Sequence, residues 1–511
     1  MAEEGPSRPA WWWHALVIGL ALHAGLAWEL HRRVFSASRD VYDGTWHLTT
    51  GRIIHETGSV PRADPLCFTS DGLDWTQLDW LSDLVLYRSY LLLGFAGPAA
   101  LASTVVVLTL IVLLGSMRLR GAGPLATLLA LAPPALLLAA MTDLRPRMAS
   151  YLALAFTLWL LDARPDPERR FGWGRAAALA ALLLLWDQLH AEVALGYAVL
   201  LLDAGVTTWA SRRAGGGWLP RRSALLLGAI GVGLLGFLLH PHGWDAVRAL
   251  VHGSSRPSPW LLASIGDGLP LVFRGYEGRL LEAALVAVAG GLALGGPRPG
   301  ARDALIALGL LHLTLTYQQR LLAPLLVASA PWIAATVSGA LLRAPPALRG
   351  ALAAIELRLG PGVRWLGPGL AAILAGWMLL FLPGRAARGV PGQLSPAWGA
   401  VPIEAALALR RSGAQGRIFN ELGAGGLLGW VLYPERRVFI DGRTGLHQQG
   451  PAVEDYYRIA GVLPGWRERL DAWRIDLVLM ARDRPLPNAL RELGWRVLHE
   501  DQGTVLLGRP E

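Results

Sequence analysis

The chain contains no lysine: all 47 of its basic residues are arginine. It therefore has no P-loop lysine, no lysine that could form a Schiff base and no lysine general base. It also has only one cysteine, Cys67, so an internal disulfide and a cysteine-rich metal site are excluded. Several large enzyme classes are ruled out by these absences alone.

Charge is scarce as well. Only 17% of the 511 residues are charged, whereas 53% are hydrophobic, and the mean hydropathy is +0.39. Water-soluble proteins of ordinary composition are less apolar than this. The net charge of +9 comes from arginines that cluster between apolar runs, a pattern that orients membrane helices. We therefore predict a protein embedded in membrane lipid, with no nucleic-acid partner.

Apolar runs recur along the chain, and each predicts a helix that crosses the bilayer. They lie near residues 11–30, 96–116, 123–141, 148–162, 175–187, 193–210, 223–240, 279–296, 303–317, 321–342 and 365–383. The first run lacks the basic flank and cleavage site of a signal peptide, so we expect it to remain as an anchor. The predicted fold class is a polytopic α-helical membrane protein with about eleven spans.

The arginines predict an orientation. With the N-terminus in the cytoplasm, every second short loop is arginine-rich, as at residues 118–120, 212–222 and 298–302, which agrees with the positive-inside rule. Because the number of spans is odd, the segment that follows the last span lies on the outer side. We predict a multi-pass protein of the bacterial inner membrane whose C-terminal domain is periplasmic.

Two domains are expected: a membrane domain over residues 1–384 and a soluble α/β domain over residues 385–511. In the second, strand-like runs at 417–420, 437–440 and 476–480 alternate with helical patterns, and a hairpin closes the chain. The membrane domain carries two long outer loops, residues 32–95 and 241–278. Long loops of this kind usually carry function.

The first outer loop holds the sharpest candidate site. Carboxylates beside aromatic residues at the membrane surface could act as a general base or hold a divalent cation against a lipid-linked phosphate, although solvated loop acids are the alternative. Asp79 and Asp83 lie four residues apart, which implies a cation or an arginine between them. The candidates in this loop are Asp40, Asp43, Trp46, His47, Arg62, Asp64 and Asp79.

Further candidates lie at the ends of the predicted spans. Ionisable groups at membrane depth are costly and are functional hypotheses by default, and the planar guanidinium group suits phosphate or pyrophosphate. The alternative is that Asp143 merely pairs with a neighbouring arginine. His240-Pro241-His242 offers too few ligands for a zinc site. The candidates at these helix ends are Arg145, Arg147, His190, Glu192, His242 and Arg320.

Two segments resemble a known class. Residues 43–65, with Trp46-His47-Leu48 and Val60-Pro61-Arg62-Ala63-Asp64-Pro65, and residues 438–443 with Asp455-Tyr456 are similar to bacterial multi-spanning proteins related to the GT-C glycosyltransferases. That class includes protein mannosyltransferases and oligosaccharyltransferase catalytic subunits. The resemblance extends over nearly the whole chain.

The resemblance implies a GT-C-like membrane fold and a hexosyl or pentosyl transferase whose donor is a sugar on a polyprenyl phosphate or pyrophosphate. The acceptor is a lipid, a glycan or a protein. In that class an Asp of the first outer loop is catalytic, which assigns Asp43, with Asp79 or Asp64 assisting. A Mg²⁺ or Mn²⁺ ion on Asp43 and Asp79 remains open, as do two other functions: a transporter or flippase for a lipid-linked or anionic substrate, and a non-enzymatic membrane scaffold.

Overall fold

Helices make up most of the chain up to residue 346. The structure, a computed structural model, describes residues 40–141, 143–162, 171–252, 271–316, 318–346, 350–355, 357–360, 368–369 and 403–510; for residues 40–43 and 96 it describes the backbone alone. The predicted spans near 11–30 and 365–383 fall outside these residues, apart from residues 368–369. The helices of this part are α1 Asp40–Thr57, α2 Trp80–Leu93, α3 Ala96–Leu119, α4 Pro124–Ala140, α5 Arg147–Leu161, α6 Trp173–Leu189, α7 Val193–Arg213, α8 Arg221–Leu239, α9 Trp244–His252, α10 Tyr276–Ala293, α11 Ala301–Thr316 and α12 Leu322–Leu342.

The apolar runs form helices because an α-helix satisfies its own backbone polar groups in lipid. Among the described residues, four helices are long and apolar enough to cross a membrane: Gly97–Leu119, Val193–Arg213, Arg221–Leu239 and Gln319–Leu342. Pro124–Ala140 and Arg147–Leu161 are shorter apolar helices. The helical membrane architecture is thus confirmed, whereas the count of about eleven spans stays a prediction.

The first outer loop is itself helical in large part. It contains α1 and α2, which pack against each other. Gly51 makes this close contact possible, because a Cβ atom there would lie only 2.0 Å from the Asp83 carbonyl oxygen. One helical turn before Gly51, His47 therefore faces the same part of α2. In the second outer loop the described residues include α9, and residues 253–270 lie outside them.

The C-terminal region contains a small sheet flanked by helices, which agrees with the predicted α/β pattern. We keep the name soluble domain for residues 403–510; its solubility stays a prediction. Its four-stranded sheet has the order β1-β2-β4-β3, in which β1 and β2 are parallel and the other pairs antiparallel. Its elements are α13 Ile403–Ser412, β1 Arg417–Asn420, α14 Gly425–Leu432, α15 Thr444–His447, α16 Ala452–Ala460, α17 Trp466–Ala472, β2 Ile475–Ala481, α18 Pro485–Glu492, β3 Arg496–Glu500 and β4 Thr504–Gly508.

The prediction of a strand at residues 437–440 is wrong. Only Val438 makes a β-bridge, and its partner is Cys67 in the first outer loop. The backbone of the next two residues is bonded to a side chain instead: Asn420 Oδ1 accepts from Phe439 N at 2.8 Å, and Asn420 Nδ2 donates to Ile440 O at 2.8 Å. This segment is extended because it joins the soluble domain to the outer loop, which local β-propensity does not report.

The outer loop and the soluble domain also share a hydrophobic core. Leu48 and Leu86 of α1 and α2 belong to the same buried cluster as Leu427 and Leu477 of the C-terminal domain. In addition, α14 packs directly on α1. The soluble domain is therefore seated on the first outer loop by apolar burial.

The end of the bundle that carries the arginine-rich loops holds a closed ionic network. It consists of three arginines and three aspartates, drawn from five helices or their ends. Arg302 bridges all three carboxylates, with nitrogen–oxygen distances of 2.7 to 3.3 Å. Its members are Arg120, Asp162, Asp203, Arg222, Arg302 and Asp303. We refer to these six residues as the arginine–aspartate network.

Candidate functional site

Many of the predicted site residues lie together at the other end of the bundle. The group includes Asp83, which joins the predicted residues through its bond to His47. We refer to seven side chains as the polar cluster: His47, Asp79, Asp83, Arg147, His190, Glu192 and Arg320. They come from the first outer loop, from α5, from the α6–α7 connection and from the turn before α12.

His47 and Asp83 form a buried pair. The His47 Nδ1 and Asp83 Oδ1 atoms are 2.6 Å apart, and the Gln77 side-chain amide donates to the other Asp83 oxygen. Burial raises the pKa of Asp83, while Gln77 and then Arg443 oppose that shift. Asp83 thus contacts His47 and is under the influence of the Arg443 charge, whereas a cation or an arginine between Asp79 and Asp83 stays a prediction.

Asp79 and Glu192 are the two acids that face into the cluster. Burial raises the pKa of Asp79 from 3.8 to about 7; His47 opposes this shift, and Asp83 and Glu192 add to it. Burial likewise raises the pKa of Glu192 to about 7, against the opposing charges of Arg320 and Arg147. Asp79 Oδ1 and Glu192 Oε2 are buried and accept no hydrogen bond from any residue that the structure describes. Buried oxygens of this kind are suited to a ligand.

Two hydrogen bonds bring these acids together. Trp80 Nε1 donates to Gln188 Oε1 at 3.1 Å, and Ser82 Oγ donates to the Leu189 carbonyl at 2.7 Å. The start of α2 is thereby fixed to the end of α6. Since Asp79 directly precedes α2 and Glu192 directly precedes α7, both carboxyl groups lie at helix N-termini, where negative charge is favoured.

His190 is held in one tautomer. The Trp186 indole N–H donates to Ser150 Oγ at 2.9 Å, and the Glu192 backbone N–H donates to His190 Nδ1 at 3.3 Å. His190 Nδ1 is therefore an acceptor, which also receives the Ser150 hydroxyl proton at 2.9 Å. Burial, followed by the charges of His47 and Arg320, lowers the pKa of His190 to about 3. The imidazole is neutral with its proton on Nε2, so it presents a hydrogen-bond donor.

The arginines of residues 143–147 pair with a neighbouring acid. Arg147 Nη2 donates to Asp143 Oδ2 at 2.6 Å, and Arg145 Nε lies 3.4 Å from the same oxygen. Asp143 thus takes the pairing role that the sequence left open. Arg147 and Arg320 both act on Glu192, and Arg320 is exposed, so its guanidinium group is accessible to a ligand.

The second outer loop adjoins the first. Arg62 Nη2 donates to the Pro241 carbonyl at 3.2 Å, and the Gln77 backbone N–H donates to His242 Nε2 at 3.4 Å. Burial, followed by the charge of Arg62, lowers the pKa of His242. Arg62 and His242 thereby hold the loops together beside the polar cluster.

Asp64 is placed differently from Asp79. It is buried against the soluble domain, where its Oδ1 lies 2.7 Å from Arg443 Nη1. Trp46 stacks on the His47 ring with 3.5 Å between centroids. Asp40 and Asp43 lie in the first turn of α1, and their side chains are outside the described part of the structure.

One group with metal-ligating side chains occurs in the described residues: Cys67, Asp441 and His447. Arg443 already supplies a positive charge to this group: its Nη2 lies 2.7 Å from Asp441 Oδ2 and 3.5 Å from Cys67 Sγ. Both Asp441 carboxylate oxygens already accept hydrogen bonds from the Arg443 side chain. We interpret this group as part of the domain junction.

Three contributors stand outside the list of sequence candidates. Asp83 was marked only by its spacing from Asp79 and Arg443 only by its place after a turn, whereas Ser150 was not marked at all. Asp83 follows Asp79 by four residues and Ser150 follows Arg147 by three, so each pair shares a helix face, and a polar stripe on that face was the available signal. Arg443 follows the turn at Asp441 and Gly442, from which an arginine could reach back toward the membrane domain, but its partner Asp64 is too distant along the chain to be identified from sequence.

The fold is similar to those of known membrane glycosyltransferases. ArnT from Cupriavidus metallidurans, solved with bound undecaprenyl phosphate, matches 98% of this chain over 100% of its own length, with 15% identity and a TM-score of 0.52. The Archaeoglobus fulgidus oligosaccharyltransferase in its apo form matches 92% of this chain over 70% of its length, with 12% identity and a TM-score of 0.53. AglB from the same organism, in complex with an inhibitory peptide and a dolichol-phosphate, has a TM-score of 0.50 at 12% identity and covers 93% of this chain and 70% of its own.

The fold is GT-C-like. This confirms, at the level of fold, the resemblance that the first outer loop and residues 438–443 indicated. No protein-family model and no curated protein sequence matches the chain.

Proposed function

We propose that the protein is an integral-membrane glycosyltransferase. It moves a hexosyl or pentosyl group from a polyprenyl phosphate or pyrophosphate donor to a lipid, glycan or protein acceptor on the periplasmic face of the bacterial inner membrane. The observation that carries the proposal is the pair Asp79 and Glu192 at one end of a GT-C-like bundle: each is half-buried and has one buried oxygen without a partner among the described residues, and Arg147 and Arg320 act on Glu192.

The helix ends support binding of the donor phosphate. The N-termini of α5, α7 and α12 begin at or beside Arg147, Glu192 and Arg320. Helix N-termini carry partial positive charge and bind anions. Arg147 and Arg320 add full charges in the geometry that matches phosphate oxygens. The same residues would stabilise the leaving polyprenyl phosphate, on which negative charge develops.

In the proposed reaction, an acceptor hydroxyl oxygen bonds to the anomeric carbon of the sugar. The bond from that carbon to the phosphate oxygen breaks, and the electron pair leaves with the phosphate. Asp43, which the resemblance assigns, or Asp79 takes the hydroxyl proton as general base. A pKa near 7 suits Asp79 to this task, since a general base works best when its pKa is close to the operating pH. The His190 Nε2 proton is directed to an oxygen of the donor or acceptor.

A divalent cation fits the donor set. Asp79 and Glu192 present carboxylate oxygens, which are the ligands that Mg²⁺ and Mn²⁺ prefer, and each has one buried oxygen with no partner in the described structure. These two residues would hold the ion, with Asp43 as the third ligand that the sequence suggests. The ion would supply positive charge against the donor phosphate.

The test is transfer by the purified protein in liposomes, with radiolabelled polyprenyl-phosphate hexose and pentose donors. We expect release of polyprenyl phosphate with transfer of the sugar, and loss of transfer in both Asp43→Asn and Asp79→Asn. Asp162→Asn is the matched control, because it makes the same substitution in the arginine–aspartate network.

Absence of transfer from every donor, or unchanged transfer by Asp79→Asn, would overturn the proposal. Movement of labelled lipid between leaflets without release of the sugar would support a transporter instead.

A further inference from the structure

Arg443 occupies the junction between the soluble domain and the first outer loop. Its side chain is only 4% exposed, and it forms ion pairs in two directions. Nη1 lies 2.7 Å from Asp64 Oδ1 in the outer loop, and Nη2 lies 2.7 Å from Asp441 Oδ2 in the soluble domain. A buried guanidinium group is tolerated only with compensation of this kind.

Both carboxylates are themselves held in place. Asp64 accepts hydrogen bonds from the backbone N–H groups of Leu66 at 2.9 Å and Cys67 at 3.2 Å. Asp441 Oδ1 accepts the Arg443 backbone N–H at 3.0 Å and lies 3.1 Å from His447 Nε2. Both partners of Arg443 are thus anchored by hydrogen bonds of their own.

The same guanidinium group contacts the polar cluster through aromatic rings. Its central carbon lies 4.8 Å from the ring centre of Trp75 and 5.7 Å from that of Trp46, within the range of a cation–π interaction. Trp46 stacks on His47, which pairs with Asp83. A continuous line of contacts therefore leads from the soluble domain to the candidate site.

We propose that Arg443 is a positioning residue: by pairing with Asp64 and covering Trp46 and Trp75, it holds the first outer loop so that the polar cluster forms only when the soluble domain is docked. The effect on catalysis rests on the proposed function. The effect on docking does not, and the two can be measured separately.

The single cysteine is a built-in reporter of docking. Cys67 is fully buried, and its Sγ lies 3.5 Å from Arg443 Nη2. A thiol in this position reacts with a maleimide only when the junction opens. No engineered label is needed, since the chain has no other cysteine.

The experiment compares wild-type protein with Arg443→Gln, Arg443→Lys and Asp64→Asn in liposomes. We expect Cys67 of the wild type to resist maleimide, and Arg443→Gln and Asp64→Asn to raise its labelling rate at least ~100-fold, because each removes the buried ion pair that joins the outer loop to the soluble domain. Arg443→Lys retains the charge and should keep Cys67 largely protected. In the transfer assay, Arg443→Gln should lower kcat ~100-fold with little change in donor KM, as misplacement of a site does, and Arg443→Lys should restore part of the loss.

Arg410→Gln is the control, since Arg410 pairs with Glu435 on the exposed surface of the same domain. It should change neither labelling nor transfer. The inference is overturned if Cys67 stays protected in Arg443→Gln, or if Arg410→Gln opens the junction equally. If Arg443→Gln does not accumulate, Asp64→Asn decides the same question. If the wild type transfers no sugar, the proposed function fails while the labelling result still stands.

Discussion

The two ends of the helical bundle use the same residue types in opposite ways. In the arginine–aspartate network, Asp162 receives Arg120 at 2.6 Å and Arg302 at 2.8 Å, and the three arginines and three aspartates balance each other. In the polar cluster, Asp79 and Glu192 keep buried oxygens for which the described residues supply no partner. Burial of charge alone thus does not identify a site.

The two ends differ in whether their buried charged groups have hydrogen-bond partners. A buried ion pair with all its hydrogen bonds made stabilises one arrangement, whereas a buried carboxylate oxygen without a partner is costly and persists where a ligand uses it. The raised pKa values of Asp79 and Glu192 express that cost. The comparison predicts that mutations at one end change turnover and those at the other change stability.

The largest effect is expected for Glu192→Gln. Removing this charge should lower turnover on the order of 10³-fold, because the polar cluster loses one of the two carboxylates proposed to hold the cation; loss of one electrostatic group in an active site costs about this much. The measurement is sugar transfer per folded molecule, with folding checked by size-exclusion chromatography. Asp203→Asn in the arginine–aspartate network should leave turnover per folded molecule unchanged, and a comparable loss there would remove the distinction between the ends.

The next effect is on stability. Arg302→Gln should lower the free energy of unfolding by ~3 kcal/mol, because Asp162, Asp203 and Asp303 all lose a buried partner. Thermal unfolding in detergent measures this loss. Arg248→Gln, which removes an exposed pair with Asp245, is the control and should change the melting temperature little. Equal melting temperatures for both variants would contradict the role of the network.

The pH dependence should follow from the acids of the polar cluster. A carboxylate base with a pKa of about 7 is protonated in acid, so kcat/KM should fall about tenfold per pH unit below pH 7. Stability should change in the opposite sense: the folded state holds these protons more tightly than the unfolded chain, so the free energy of unfolding falls as pH rises from about 4 to about 7. Asp79→Asn, which should lose transfer, is tested on stability alone: the fall in the free energy of unfolding between about pH 4 and about pH 7 should become smaller, and Glu192 should account for the part that remains. An unchanged stability profile would exclude Asp79 as a titrating group.

The smallest effect is expected for Ser150→Ala. It removes the hydroxyl group that orients the His190 ring, which is worth about 1 kcal/mol for a neutral hydrogen bond. We expect a ~5-fold loss of kcat/KM. Thr157→Ala on the same helix removes only a bond to the Ala153 carbonyl and serves as control. If the two variants behave alike, His190 has no oriented role.

The membrane helices could be read from sequence because length and hydropathy are local properties. The run at 175–187, for example, became a helix over Trp173–Leu189. The helix α1 was not predicted because its sequence has no single apolar face. It is stabilised by burial against α2 and the soluble domain. The segment at 437–440 was mistaken for a strand for a related reason: its hydrogen bonds go to Asn420 and the outer loop.

For the site, sequence gave the residue types and the end of the bundle, but not the pairings. That Asp143 would pair with Arg147 follows from local spacing. That Ser150 would orient His190, or that Arg443 would reach Asp64, depends on packing between distant segments. Partner choice of this kind is a tertiary property, so Asp64 and Asp79 looked equivalent until the fold placed them in different surroundings.

The core shared by α1, α2 and the C-terminal domain has a practical consequence. Leu427 and Val431 of α14 are covered by the first outer loop, so a recombinant fragment that starts near residue 403 would present them to water. Such a truncated product would tend to self-associate. The C-terminal region is thus better regarded as a lid that completes its fold on the membrane part than as a module that can be excised and studied alone.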